Sequence, residues 1–182
     1  MESTPFLPAE DLRRLGANCW AVPVMALLDR EGGARFAALA RQLGAPQNSL
    51  SRSLVHLRSC GWVVANAGHG HPLRPDYLLS DTGRPAAALC SRVMAARDRL
   101  AIGHEDLPRW GLPLVAGLSP DWSRFNALQA RLAPITPRAL SQSLQAMMGT
   151  QIVRRRLEDG FPPHPLYGLT GRGQELAAAL SV

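Results

Sequence analysis

Ile135-Thr136-Pro137-Arg138-Ala139-Leu140-Ser141-Gln142-Ser143-Leu144 decides the fold, together with Ile152-Val153-Arg154-Arg155-Arg156 and the Asp159-Gly160 turn that follow it. A Pro-rich return through Pro162, Pro163 and Pro165 leads into Tyr167-Gly168-Leu169-Thr170-Gly171-Arg172-Gly173. Thr136 can accept hydrogen bonds from first-turn amides, and Pro137 suits the first helical position, where no donor is needed. Leu140, Leu144 and Met147 recur at i, i+4 and i+7 and form one apolar stripe. Arg138, Gln142 and Gln145 then face away from it. An Arg-rich hairpin and the start of a last helix complete the stretch.

A helix with an apolar back and an Arg/Gln front, followed by a basic hairpin, is the layout of a winged helix-turn-helix. The stretch also resembles the HxlR branch of the MarR-like winged-helix regulators. That family reads I-S-P-R-x-L-S-Q-R-L in its reader helix and P-P-x-x-x-Y-x-L-T-x-x-G after its wing. Here Thr136 stands for the usual Ser and Ser143 for the usual Arg, while order and spacing hold.

Working outward, the pattern repeats. Trp20 and Trp110 differ by 90 in number, as do Pro23 and Pro113, Leu50 and Leu140, Leu54 and Leu144, Val63 and Val153, Tyr77 and Tyr167, and Gly83 and Gly173. Arg35-Phe36 and Arg124-Phe125 differ by 89, so one residue of slack lies in a connecting turn. The expected fold is mainly α with small β wings: two tandem winged helix-turn-helix domains forming a pseudo-dimer. The expected division is 1–100 for an N-terminal domain with flanking helices, 101–109 for a linker and 110–182 for a C-terminal domain. Family members usually pair as homodimers. The resemblance therefore implies that this chain holds both halves covalently, with the N-terminal helix and the Ala-rich segment from Ala86 to Ala96 as dimerisation elements. It leaves further homodimerisation open.

The expected elements are a helix from Pro8 to Leu15, core helices at Trp20–Leu28, Phe36–Leu43 and Gln47–Cys60, strands at Trp62–Val64 and Tyr77–Leu79, and a helix from Gly83 to Leu100. The chain has 182 residues, 46% of them hydrophobic, enough for packed cores. No run of about 18 apolar residues suggests a membrane span. The N-terminus lacks the layout of a secretory signal, so a cytoplasmic location is expected. The net charge is +6, and all 20 basic residues are Arg. The planar guanidinium suits phosphate and guanine edges. A GC-rich codon bias explains an all-Arg inventory equally well, so charge supports a nucleic-acid partner without identifying one.

The expected partner is double-stranded DNA. The candidate contacts are Asn48, Ser49, Arg52, His56 and Arg74 in the first repeat. In the second they are Thr136, Arg138, Gln142, Gln145, Arg154, Arg155 and Arg156. Asn and Gln can pair with adenine and Arg with guanine; wing arginines would meet phosphate. The expected function is a sequence-specific transcriptional regulator, with repression as one of its two signs, reading with helices 47–60 and 136–148. Two readers on a two-fold-like scaffold should lie about 34 Å apart. The competing reading is a winged-helix protein-interaction adaptor; on the plainer view these faces are solvated helix surface.

No Walker loop, G-x-S-x-G, H-E-x-x-H or dinucleotide fingerprint occurs, so neither an enzyme nor a cofactor is expected. His69 and His71 read as a Gly-rich wing tip rather than a metal site. Cys19, Cys60 and Cys90 are too few and too scattered for a disulfide framework. Some members of the family sense oxidants through a Cys some ten residues before Cys19; none stands there, and small core residues are the plainer reading. Asp121, Trp122 and Trp110 are candidates to border a small effector cavity between the halves, against the plainer reading as core and turn residues.

Overall fold

The structure is a computed structural model, and it describes residues 7–66, 76–103, 106–119, 121–160 and 163–181. Arg74, His69 and His71 lie outside the described residues. The chain divides into two compact units. One comprises Asn18–Ala95, the other Met1–Ala17 together with Ala96–Val182.

The Asn18–Ala95 unit holds α2 (Ala21–Glu31), β1 (Ala34–Arg35), α3 (Phe36–Leu43), α4 (Gln47–Ser59), β2 (Val63–Asn66), β3 (Asp76–Leu79) and most of α5 (Arg84–Leu100). Its sheet is antiparallel in the order β1-β3-β2. Leu39, Leu50 and Leu57 are fully buried and Leu54 nearly so, which puts the apolar stripe of α4 in the core.

The other unit repeats the plan. It holds α6 (Gly111–Gly117), β4 (Ser123–Arg124), α7 (Phe125–Arg131), α8 (Pro137–Gly149), β5 (Val153–Glu158), β6 (His164–Leu169) and α9 (Gly171–Leu180), with sheet order β4-β6-β5. Leu140, Leu144 and Met147 are buried. Thr136 caps α8 as its sequence predicts: its hydroxyl oxygen accepts from the Ala139 amide at 3.2 Å, and Pro137 occupies the first turn.

The repeat persists at the level of hydrogen bonds. Ser80 donates its hydroxyl to the Gly61 carbonyl at 2.6 Å and accepts from the Gly83 amide at 3.0 Å. Ninety residues later, Thr170 donates to the Gln151 carbonyl at 2.6 Å and accepts from the Gly173 amide at 3.2 Å. Gly61 and Gln151 both have positive φ, 75° and 57°. A Cβ on Gly83 would collide with the Trp62 carbonyl oxygen, and one on Gly173 with the Ile152 carbonyl oxygen. Either glycine to alanine should therefore cost its own unit about 1–3 kcal/mol, because backbone rather than a pliable side chain must move. Urea unfolding followed by tryptophan fluorescence checks this. A wild-type midpoint for both variants would rule out the shared packing.

The sequence reading lacks the third strand of each sheet: β1 and β4 are two residues long, too short to show alternation. The two compact units divide at Ala17/Asn18 and, inside α5, at Ala95/Ala96, so that residues 1–17 fall with the second repeat. Helix α1 (Ala9–Gly16) buries Leu12 and Leu15 and packs on α6, and Gly16 sits so close to the Arg109 carbonyl that no side chain would fit.

Candidate nucleic-acid interface

Helix α8 buries Leu140, Ser143, Leu144 and Met147 and exposes Arg138, Ser141, Gln142, Gln145 and Ala146. The polar ridge is therefore Arg138-Gln142-Gln145, as the 100° period requires. Thr136 is exposed, but its oxygen is engaged by the Ala139 amide.

Helix α4 exposes Asn48, Arg52 and Val55, with Ser49 half-buried. The Arg52 Nε donates to the Asn48 carbonyl at 3.3 Å, laying the side chain back along its own helix. His56 is half-buried, and its Nε2 lies 3.8 Å from the Cys60 sulfur. Val55, 63% exposed, occupies the ridge position that Gln145 holds in the second repeat. Sequence reasoning missed Val55, because an apolar residue on a helix is assigned to the core by default. An exposed Val so placed could pack on a thymine methyl group.

The second wing carries three consecutive arginines. Arg154, Arg155 and Arg156 are all exposed on β5. Strand alternation puts Arg154 and Arg156 on one face and Arg155 on the other. On the shared face, both guanidinium carbons stand over the Trp122 ring, 4.9 Å and 4.2 Å from its centroid. Each such cation–π contact contributes about 0.5–1 kcal/mol at an exposed site. Arg154 is paired in register with Gly168 on β6, and the Trp122 ring lies where a Gly168 side chain would be: an added Cβ would meet it at 2.8 Å. Further along the wing, Arg124 donates to Glu158 at 2.7 Å. That hydrogen bond holds the Glu158 carboxyl below its usual value, with the charges of Arg124, Arg156 and His164 acting in the same direction.

Asp121 and Trp122 line a cavity of about 330 Å³ with Arg154, Gly168 and Gln174 among its walls. Trp110 lines a different depression, with Ala9, Arg13 and Pro113. Both depressions are lined by residues of the same unit. Cys90 is fully buried, and burial pushes its thiol well above the usual range, with the Asp29 charge adding to the effect. It is a core residue, not a nucleophile. Cys19 is exposed and Cys60 half-buried. Among the described residues, no group of His, Cys, Asp and Glu is arranged to hold a metal ion, and no helix is long and apolar enough to cross a membrane.

Two helix-turn-helix family models match the chain, one in each repeat. The HxlR-like helix-turn-helix family matches residues 107–182, and the IclR helix-turn-helix domain matches residues 21–67. The uncharacterized HTH-type transcriptional regulator YtfH of Escherichia coli (strain K12) is 30% identical over 69 residues, and its Shigella flexneri counterpart matches equally. The match covers 38% of this chain, which spans about half the length of these curated relatives, 55%. Among solved structures, a MarR-family protein from Enterococcus faecalis V583 is 28% identical, covering 48% of this chain and 74% of its own, with a TM-score of 0.40. Diamide-treated YodB from B. subtilis is 23% identical, covering 48% of this chain and 81% of its own, with a TM-score of 0.39. The chain folds as two winged helix-turn-helix modules in tandem, the second of them similar to the HxlR-like helix-turn-helix family.

Proposed function

We propose that this protein is a DNA-binding transcriptional regulator, reading duplex DNA with the exposed ridges of α4 and α8 and gripping its backbone with the basic wing β5-β6. One observation carries the reading. In the second module an exposed Arg138-Gln142-Gln145 ridge is followed by a hairpin bearing three exposed arginines, so base-reading and phosphate-binding groups occur together. The name of the relative YtfH, an HTH-type transcriptional regulator, points the same way. The two ridges differ in composition: Asn48-Arg52-Val55 against Arg138-Gln142-Gln145. If both touch DNA they prefer different bases, and the bound site is not a palindrome.

The experiment is selection of genomic fragments by the purified chain, followed by affinity measurement on the recovered site. Arg138→Ala and Gln142→Ala should each weaken that site by about 1–3 kcal/mol while leaving binding to random duplex nearly unchanged. Equal losses on both duplexes would show that the ridge does not read bases. Recovery of no duplex would return the protein to the adaptor reading.

A further inference from the structure

The Trp122 stack has no counterpart in the first repeat, and the difference is reciprocal. With β1 and β4 aligned through Arg35 and Arg124, Trp122 corresponds to Gly33. With β3 and β6 aligned through Tyr77 and Tyr167, Gly168 corresponds to Leu78. In the second module the large ring on the loop side covers the strand glycine. In the first, Leu78 on the strand covers Gly33, whose φ of 142° residues with a side chain rarely adopt. The outer strand changes with them: Val64 stands where Arg154 does and Asn66 where Arg156 does. Four positions on three strands or their flanks thus differ together.

Physically, two guanidiniums held over one ring repel each other, and an anion set between or beside them relieves the repulsion. No ion pair or side-chain hydrogen bond is recorded for Arg154 or Arg156 among the described residues; the nearby Glu158 is engaged by Arg124. The flat ring limits the rotamers each arginine can sample, so less side-chain freedom remains to be lost on binding.

We infer that Trp122, seated over Gly168, is a positioning residue that presents Arg154 and Arg156 as a paired phosphate-binding fork, and that this fork belongs to the second module. The inference rests on the DNA-binding reading and deepens it by naming what orders the wing.

The test uses the full chain and a random-sequence duplex, because phosphate contacts are independent of sequence. Affinity is measured across a salt series for wild type, Trp122→Leu, Trp122→Phe and Arg154→Ala/Arg156→Ala, with Trp122→Leu repeated in the double-Ala background. Trp122→Leu should lower affinity about 5- to 20-fold and reduce the log–log salt slope by about 1, toward the double-Ala value. Trp122→Phe should restore most of both, since a ring face remains. In the double-Ala background Trp122→Leu should change nothing further. A wild-type slope in Trp122→Leu, or an equal loss in the double-Ala background, would overturn the inference while leaving DNA binding intact. Absence of salt-dependent binding by the wild-type chain would remove both readings.

Discussion

Replacing Arg154, Arg155 and Arg156 together by alanine should weaken duplex binding about 100-fold near 0.1 M salt and flatten the log–log salt dependence by about 2–3. The magnitude follows from the number of phosphates three exposed arginines on one strand could neutralise. The loss should be nearly the same on the selected site and on random duplex, because phosphate contacts position a protein without reading sequence. Fluorescence anisotropy titrations at several salt concentrations measure it. An unchanged slope would mean that the wing points away from DNA. The folded state should tolerate the change: Arg155 is exposed surface, and losing the two Trp122 contacts of Arg154 and Arg156 costs about 1–2 kcal/mol in all, less than a small domain holds.

Leu140→Ala should have the opposite profile. Leu140 is fully buried on the inner side of α8, so its truncation removes apolar contacts and leaves a cavity worth about 2–5 kcal/mol. A small domain has only about 5–15 kcal/mol in total. The second module should therefore unfold at clearly lower urea, and DNA affinity should fall only as far as the folded fraction does. Leu50→Ala should do the same to the Asn18–Ala95 unit. Each unit carries its own tryptophans, Trp20 and Trp62 in one and Trp110 and Trp122 in the other, so fluorescence reports on both. A shift below about 0.5 kcal/mol in either variant would show that the i, i+4, i+7 stripe is not the core of its helix.

What could be read in the sequence was what local chemistry dictates. Thr136 and Pro137 announce the start of α8 because a cap needs an acceptor and then a residue without a donor. The leucine period fixes which faces of α4 and α8 are buried, and the ninety-residue offset pairs Gly83 with Gly173, which the structure packs against the equivalent carbonyls of Trp62 and Ile152. Illegible were the features that depend on two segments distant in the chain. Nothing around Trp122 says that its ring will lie on Gly168, because the contact crosses from the approach to β4 over β6 to β5. The burial of α1 with α6 was hidden for the same reason: Leu12 and Leu15 show an apolar face but not what covers it. On α4, the period placed Asn48 and Arg52 on the exposed side, while His56, chosen for its polarity, is half-buried and its neighbour Val55 is exposed.

On the proposed function, one chain carries two separate DNA-reading ridges. Hydroxyl-radical footprinting on the selected fragment, comparing Arg52→Ala and Arg138→Ala with wild type, tests it most directly. Protection lost from one part of the site in Arg52→Ala, and from a different part in Arg138→Ala, is the predicted result. A footprint left whole by Arg52→Ala, or weakened uniformly and identically by both substitutions, would contradict it.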